Sequence, residues 1–258
     1  TPRCLYDTAL DDSGPTIGVP ANCVDTPLTY VGIKAGNVDE RGLDGPSDQD
    51  VLLSGIGQGN GPNPNTINTT GSDIGVGNQS IEGHEVQGQN DQAAEILRLD
   101  FVNNVTFPGN NFAYTGHYDV DAASFTIHQI QGGPGNTATV FVQVFNANDN
   151  NNFADDGNPL PITLADVTVT GDATYTEIPV YDGATLVGVV ITGLNENATV
   201  TVNTADDFNR LVISNYDNVA FSSTPNGAPT LPAGAEGHPF SVGGISSVVC
   251  APATLSVT

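Results

Sequence analysis

Basic residues are scarce in this sequence. Lys and Arg together number 5 against 29 Asp and Glu, which gives a formal net charge of −24 at pH 7. Nucleic acids and anionic lipid surfaces bind proteins through clustered cations, so this balance argues against both as partners. The same charge attracts divalent cations, and short Asp carboxylates on turns are typical calcium ligands. The alternative is that these carboxylates only solubilise the surface or adapt it to salt.

Long apolar runs are also missing. No stretch approaches the roughly 18 apolar residues that a membrane-spanning helix needs, so we expect no membrane insertion. The sequence starts at Thr1 without Met and shows no signal peptide. We therefore expect a mature, processed polypeptide.

Met and Trp are absent, and no segment keeps the three-to-four-residue apolar spacing of a helix. The chain instead contains 30 Gly and 17 Pro, with abundant Asn and Thr. This composition favours many short strands joined by turns, with few helices.

The densest apolar alternation lies between residues 94 and 146. Leu97, Leu99 and Phe101 alternate with charged residues, and the segment 137–146 alternates in the same way. A two-residue period is typical of a half-buried strand. We place these strands at the centre of the fold.

From Val167 onward, strand-like segments and turns recur every roughly 8–12 residues, which is the spacing of a sandwich or barrel. We predict an all-β protein with an antiparallel β-sandwich, jelly-roll or immunoglobulin-like, and long Gly/Asn/Asp-rich loops. Residues 1–26 are predicted as an N-terminal arm and 27–258 as a single domain. Residues 35–46 and 57–71 are predicted as loops.

Three groups of acidic and amide side chains are candidate calcium sites. One lies in a loop rich in Asn and Asp, one on alternate positions of a strand, and one in the loop 35–46. Carboxylate and amide oxygens suit the hard calcium ion. The predicted ligands are Asp149, Asn151, Asp155 and Asp156 in the first group, Asp119 and Asp121 in the second, and Asp39, Glu40 and Asp44 in the third.

The cysteine count is odd. Cys4 and Cys23 flank a turn-rich segment. A disulfide between them would close a short loop and stabilise the folded state by about 3 kcal/mol. Cys250 would then be free or joined to another chain. Pairing of either Cys4 or Cys23 with Cys250 stays open, because sequence does not fix connectivity. The surroundings of Cys250 favour a strand interior over a catalytic thiol.

Asn-x-Ser/Thr sequons occur at four positions. We predict that Asn68 and Asn78 are the better candidates for glycosylation, because both fall in segments expected to be exposed loops.

No residue pattern nominates a catalytic site. The four histidines are scattered, no zinc-ligand spacing occurs, and neither a Gly-x-Ser-x-Gly elbow in its strand–turn–helix context nor a phosphate-binding loop is present. We predict that the protein is not an enzyme.

Several stretches resemble modules of large secreted bacterial surface adhesins of the repeats-in-toxin type. They are Gly75–Ile81 followed by Glu95–Phe101, Thr204–Ile213 with Phe240–Ile245, and Val38–Glu40. The chain departs from that family because it lacks the glycine–aspartate nonapeptide repeats and contains cysteines.

The resemblance implies an exported, β-rich protein that binds calcium and serves adhesion or surface architecture. It implies calcium carboxylates at Asp39 and Glu40 and a structural role for Phe208 and Arg210.

We therefore expect an extracellular structural or adhesive protein that calcium stabilises and that associates with copies of itself. The tail 253–257 or the N-terminal arm would complete the open sheet edge of a neighbour. The alternative is a calcium-dependent carbohydrate-binding module, although Trp is absent and the tyrosines are spread out.

Overall fold

The protein folds as strands joined by turns. A computed structural model describes residues 23–27, 30–34, 37–41, 49–56, 67–70, 73–76, 80–81, 95–106, 113–148, 157–215, 223–227 and 238–250. Within these ranges there are seventeen strands and one short 3-10 helix, Leu164–Asp166, and no α-helix. The strands are β1 (Cys23–Pro27), β2 (Tyr30–Lys34), β3 (Asn37–Arg41), β4 (Gln49–Ile56), β5 (Ile67–Thr70), β6 (Asp73–Val76), β7 (Ile96–Asn103), β8 (Gly116–His117), β9 (Val120–Ile130), β10 (Ala138–Asn146), β11 (Asn158–Leu160), β12 (Val167–Thr170), β13 (Thr176–Asp182), β14 (Thr185–Leu194), β15 (Thr199–Phe208), β16 (Arg210–Asn215) and β17 (Phe240–Cys250).

Two sheets pack against each other. The seven-stranded sheet has the order β12-β15-β9-β17-β6-β5, with β1 also paired to β17. The ten-stranded sheet has the order β13-β14-β10-β16-β7-β4-β2-β3, with β11 beside β10 and β8 beside β7. All described pairs are antiparallel except β2 with β4. The predicted all-β sandwich is confirmed.

The core lies between the sheets and is built from alternate residues of each strand. β7 contributes Leu97, Leu99 and Phe101, and β9 contributes Phe125 and Ile127 from the opposite sheet, all fully buried. Each such side chain contributes about 1.5–3 kcal/mol on burial. The period-2 pattern therefore places the central strands as predicted.

The other face of β7 differs from the expectation of a half-buried strand. Arg98 and Asp100 point away from the core, yet they are only 5% and 1% exposed. β7 is therefore buried on both faces, because its charged side chains pair with one another and with neighbouring strands.

Three strands lie in segments that were predicted to be irregular. β3 lies within 35–46, β5 lies within 57–71, and β1 takes in the last residues of the predicted N-terminal arm. These strands are polar and short. Backbone pairing in a sheet does not require apolar side chains, so hydrophobic alternation does not find such strands.

The last described strand is irregular near its middle. β17 runs for eleven residues, and its pairing with β9 is interrupted between Gly243 and Ser246. Gly244 there has φ +56°, a conformation that suits glycine. The predicted tail strand 253–257 lies outside the described residues.

Candidate functional site

Four carboxylates gather at one end of the seven-stranded sheet, and we call them the carboxylate rim: Asp119, Asp121, Asp206 and Asp207. Asp119 and Asp121 flank Val120, the first residue of β9. Asp206 and Asp207 lie near the end of β15. The pairing of β15 with β9 is regular up to Asn203 and resumes only at Phe208, so the intervening residues bulge beside the start of β9.

The electrostatics of the rim are seen at Asp207. The pKa of Asp207 is raised, first by burial and then by the negative charges of Asp121, Asp119 and Asp206. Like charges disfavour ionisation of a carboxyl group, as burial does. Repulsion among the anionic groups of the rim therefore outweighs attraction at Asp207, and a bound cation would relieve this repulsion.

Asn209 ties the rim to the ten-stranded sheet. This residue lies between β15 and β16, where the chain crosses from one sheet to the other. Its Nδ2 lies 3.3 Å from Asp119 Oδ1 and 3.3 Å from the carbonyl oxygen of Ala147, and its Oδ1 accepts the Ala147 amide at 2.6 Å. The side chain is 5% exposed.

The loop that carries the first predicted calcium group begins and ends near this residue. Ala147 follows β10 directly, and β11 returns to pair with the end of β10, with Asn158 opposite Asn146. Gly157 has φ +66°, and a Cβ there would lie 3.0 Å from Ala147 Cα. Both ends of the loop are thus held tightly together beside Asn209. The predicted ligands Asp149, Asn151, Asp155 and Asp156 lie outside the described residues.

Asp121 also holds the end of β17. Its Oδ2 accepts the backbone amide of Cys250 at 2.6 Å. The C-terminal end of β17 is therefore fixed to the rim by a charge-assisted hydrogen bond.

The third predicted calcium group is elsewhere. Asp39 and Glu40 lie on β3, which ends the strand order of the ten-stranded sheet and is separated from β7 by β4 and β2. Asp44 lies outside the described residues. The structure thus gathers Asp119 and Asp121 with two further carboxylates, and it places Asp39 and Glu40 at the edge of the other sheet.

The rim is not a closed metal site by itself. Within the described ranges, no three His, Cys, Asp or Glu side chains form a group that would hold a metal ion. A calcium ion at the rim would need oxygens beyond these carboxylates, since it takes 6–8 oxygen ligands.

Sequence reasoning missed Asp206, Asp207 and Asn209 as site residues. The two aspartates stand next to each other in Thr204–Ile213, one of the stretches that carry the adhesin resemblance. Their position beside Asp119 depends on the irregular pairing of β15 with β9, which has no signal in the sequence.

A second polar feature lies on the face of β7 that points away from the core. We call Arg98, Asp100, His117 and Arg210 the buried ion cluster. Asp100 Oδ1 accepts a hydrogen bond from Arg210 Nε at 2.5 Å, and its Oδ2 lies 2.9 Å from Arg98 Nε. His117 Nε2 lies 3.6 Å from Asp100 Oδ1. Two of the five basic residues of the chain therefore meet at one carboxylate.

The cluster keeps Asp100 ionised. Burial by itself would raise the pKa of Asp100, but the interaction with His117 and the charges of Arg98 and Arg210 outweigh burial, so the pKa is lowered. Arg98 Nε also donates to Ser54 Oγ at 3.1 Å, and the ring of His117 packs edge-on against Tyr114. These contacts join β4, β7, β8 and β16 across the ten-stranded sheet.

The two residues to which the resemblance assigned a structural role are both in the interior. Arg210 belongs to the buried ion cluster and is 1% exposed. Phe208 is fully buried and packs edge-on against Phe101, with 6.0 Å between ring centroids.

The predicted glycosylation sites and the cysteines are only partly within the described residues. Asn68 lies on β5, so the expectation that it occupies a loop is wrong, and Asn78 lies outside the described residues. Cys4 also lies outside them. Cys23 begins β1, directly opposite Cys250 of β17.

Two of the described tyrosines, Tyr114 and Tyr118, are too buried to offer a sugar-stacking surface. Tyr114 and Tyr118 are 6% and 8% exposed. Burial, together with the nearby charge of Asp50, raises the pKa of Tyr118. Both rings are part of the interior.

Comparison with protein-family models, curated proteins and solved structures finds no match to this chain. The likeness to repeats-in-toxin adhesin modules therefore stays a prediction. In the part of the chain that the structure describes, no helix has the length and apolar character to cross a membrane.

Proposed function

We propose that this chain is an extracellular structural or adhesive protein whose β-sandwich is stabilised by calcium at the carboxylate rim. The observation that carries the proposal is the raised pKa of Asp207, which results first from burial and then from the nearby charges of Asp121, Asp119 and Asp206. A protein with a net charge of −24 gains little from a further local concentration of carboxylates unless a cation neutralises it.

The chemistry of the rim suits calcium. All of its groups are carboxylate oxygens, which are the hard donors that calcium prefers over softer ligands. The loop 149–156 starts two residues after Ala147, which Asn209 holds beside Asp119. Its Asp and Asn side chains would supply the further oxygens, and calcium would then connect the two sheets.

The rim is also close to the two ends of the described chain. β1 and β17 are antiparallel, with Cys23 opposite Cys250. We propose that residues 1–22 and 251–258 pair with a second copy of the chain, because backbone pairing gives affinity without an apolar surface. Among the described residues, Leu164 is the one exposed large hydrophobic side chain.

Two other described edge strands, β12 and β13, are poorly suited to strand addition. β12 has four residues, and β13 carries Pro179, which has no amide hydrogen to donate. Self-association through the terminal segments is therefore favoured over association through these edges.

Isothermal titration with calcium tests the role of the rim. Asp207→Asn is expected to weaken calcium binding by about tenfold or more, because it removes one ionised ligand. Asp182→Asn is the matched control, since it removes the same charge at the exposed end of β13. Equal calcium affinity of the Asp207→Asn variant and the wild-type protein would contradict the proposed site.

Electron microscopy and sedimentation of the full chain with and without calcium test the assembly. We expect oligomers or filaments in calcium. Dispersed monomers under both conditions would argue against self-association and leave the calcium site to be judged by titration.

A further inference from the structure

The pair formed by β1 and β17 joins the first described strand to the last. Its register runs from Cys23 opposite Cys250 to Pro27 opposite Ser246. β1 has β17 as its one strand partner within the described ranges, and the next strand, β2, belongs to the other sheet. In the described part of the chain, the pairing of these five residues with β17 is therefore what attaches β1 to the sheet.

Cys250 is disulfide-bonded. The chain has two other cysteines, Cys4 and Cys23. Directly opposed residues of an antiparallel pair have Cα atoms about 4.5–5.5 Å apart. This range lies inside the separation of about 4.4–6.8 Å that a disulfide bridges.

We propose that Cys23 and Cys250 form a disulfide that clasps β1 to β17. The register places the two backbones within bridging range without any movement of the strands. The Cys4–Cys23 pairing considered from the sequence would leave Cys250 without a partner in the chain. In the pairing proposed here, Cys4 is the thiol that remains.

The clasp closes nearly the whole fold covalently. Oxidation joins the two sulfur atoms with loss of two protons and two electrons, and an external disulfide such as oxidised glutathione accepts them and becomes two thiols. Cross-links that enclose long loops restrict the unfolded chain most. The Cys250 end of the clasp also carries the amide that Asp121 binds, so the clasp steadies one side of the rim.

Peptide mapping of the non-reduced full chain by mass spectrometry tests the connectivity. We expect a linked pair of peptides that contains Cys23 and Cys250, unchanged in Cys4→Ser. A link from Cys4 to Cys23 or to Cys250 would overturn the proposal, as would loss of the link in Cys4→Ser.

Thermal unfolding gives a second readout that does not depend on calcium. Cys23→Ser and Cys250→Ser are each expected to lower the Tm by roughly 10 °C, and the double variant by no more than either single one. Cys4→Ser is the control and should keep the wild-type Tm. Additive losses in the double variant, or an equal loss in Cys4→Ser, would show that the two cysteines do not act as one bond.

Discussion

Arg210 and Asp100 lie directly opposite each other on β16 and β7, and Arg210 Nε donates to Asp100 Oδ1 at 2.5 Å. Both side chains are 1% exposed. A chain with 5 basic residues thus commits two of them, Arg98 and Arg210, to a single buried carboxylate. We infer that the cluster helps to fix the register of the central strands, since a one-residue slip of β16 against β7 would separate Arg210 from Asp100.

Asp100→Asn is expected to destabilise the protein by about 3–5 kcal/mol, because it leaves two buried guanidinium groups without their counter-charge. Chemical denaturation monitored by circular dichroism measures the change. Asp182→Asn makes the same substitution at an exposed position and should change the free energy of unfolding by less than about 0.5 kcal/mol. Similar small losses in both variants would mean that the cluster adds no stability.

The pH dependence of stability should have two parts of opposite sign. The pKa of Asp100 is lowered in the folded state, so its contribution is present above the ordinary Asp pKa of about 3.9 and is lost as the pH falls through its folded value. The pKa of Asp207 is raised, so folding is disfavoured above that raised value and the penalty fades as the pH falls toward the ordinary one.

Without calcium, the Tm should therefore rise on mild acidification and fall at lower pH. Differential scanning calorimetry across this range measures both limbs. Asp207→Asn should reduce the rise on mild acidification and leave the fall at lower pH. A Tm that only decreases with acidification in the wild-type protein would contradict the interpretation of the rim.

Asn209→Ala should lower the free energy of unfolding by about 2 kcal/mol, because the buried amide and carbonyl groups of Ala147 lose their side-chain partners. The same variant should bind calcium more weakly, since the loop 149–156 would no longer be held beside Asp119. Denaturation and calcium titration measure the two effects. A loss of stability with unchanged calcium affinity would place the calcium ligands away from this loop.

Gly157→Ala should destabilise the protein more than Gly133→Ala. Both glycines have positive φ, but a Cβ at Gly157 would lie 3.0 Å from Ala147 Cα and from the Asn146 carbonyl oxygen, whereas at Gly133 nothing lies within 4 Å. The φ penalty alone is about 1–2 kcal/mol, and Gly157→Ala should exceed it. Equal losses of stability in the two variants would show that the backbone around Gly157 and Ala147 accommodates the added methyl group at little cost.

The fold could be predicted from the sequence where burial follows a two-residue period. Leu97, Leu99 and Phe101 identify β7 and its core face. Burial of Arg98 and Asp100 could not be predicted, because a charged side chain is normally solvated unless the fold supplies partners distant in sequence. Arg210 is such a partner, 110 residues away.

The candidate site was predictable only in part. Asp119 and Asp121 were found because alternate positions of a strand lie close together. Asp206 and Asp207 join them only because the pairing of β15 with β9 is interrupted, and Asn209 matters only because the chain crosses between sheets at that residue. The positions of these three residues are set by how the strands pair, and no local pattern in the sequence predicts them.

Thermal unfolding of the wild-type chain in saturating calcium and in chelator is the most direct test of the calcium-stabilised sandwich. A ligand that binds only the folded state stabilises it in proportion to the logarithm of its concentration over Kd. At 100-fold excess over Kd the gain is about 2.7 kcal/mol, which corresponds to a rise in Tm of roughly 5–10 °C for a chain of this size. The account predicts such a rise, smaller in Asp207→Asn. An identical Tm in calcium and in chelator would contradict it.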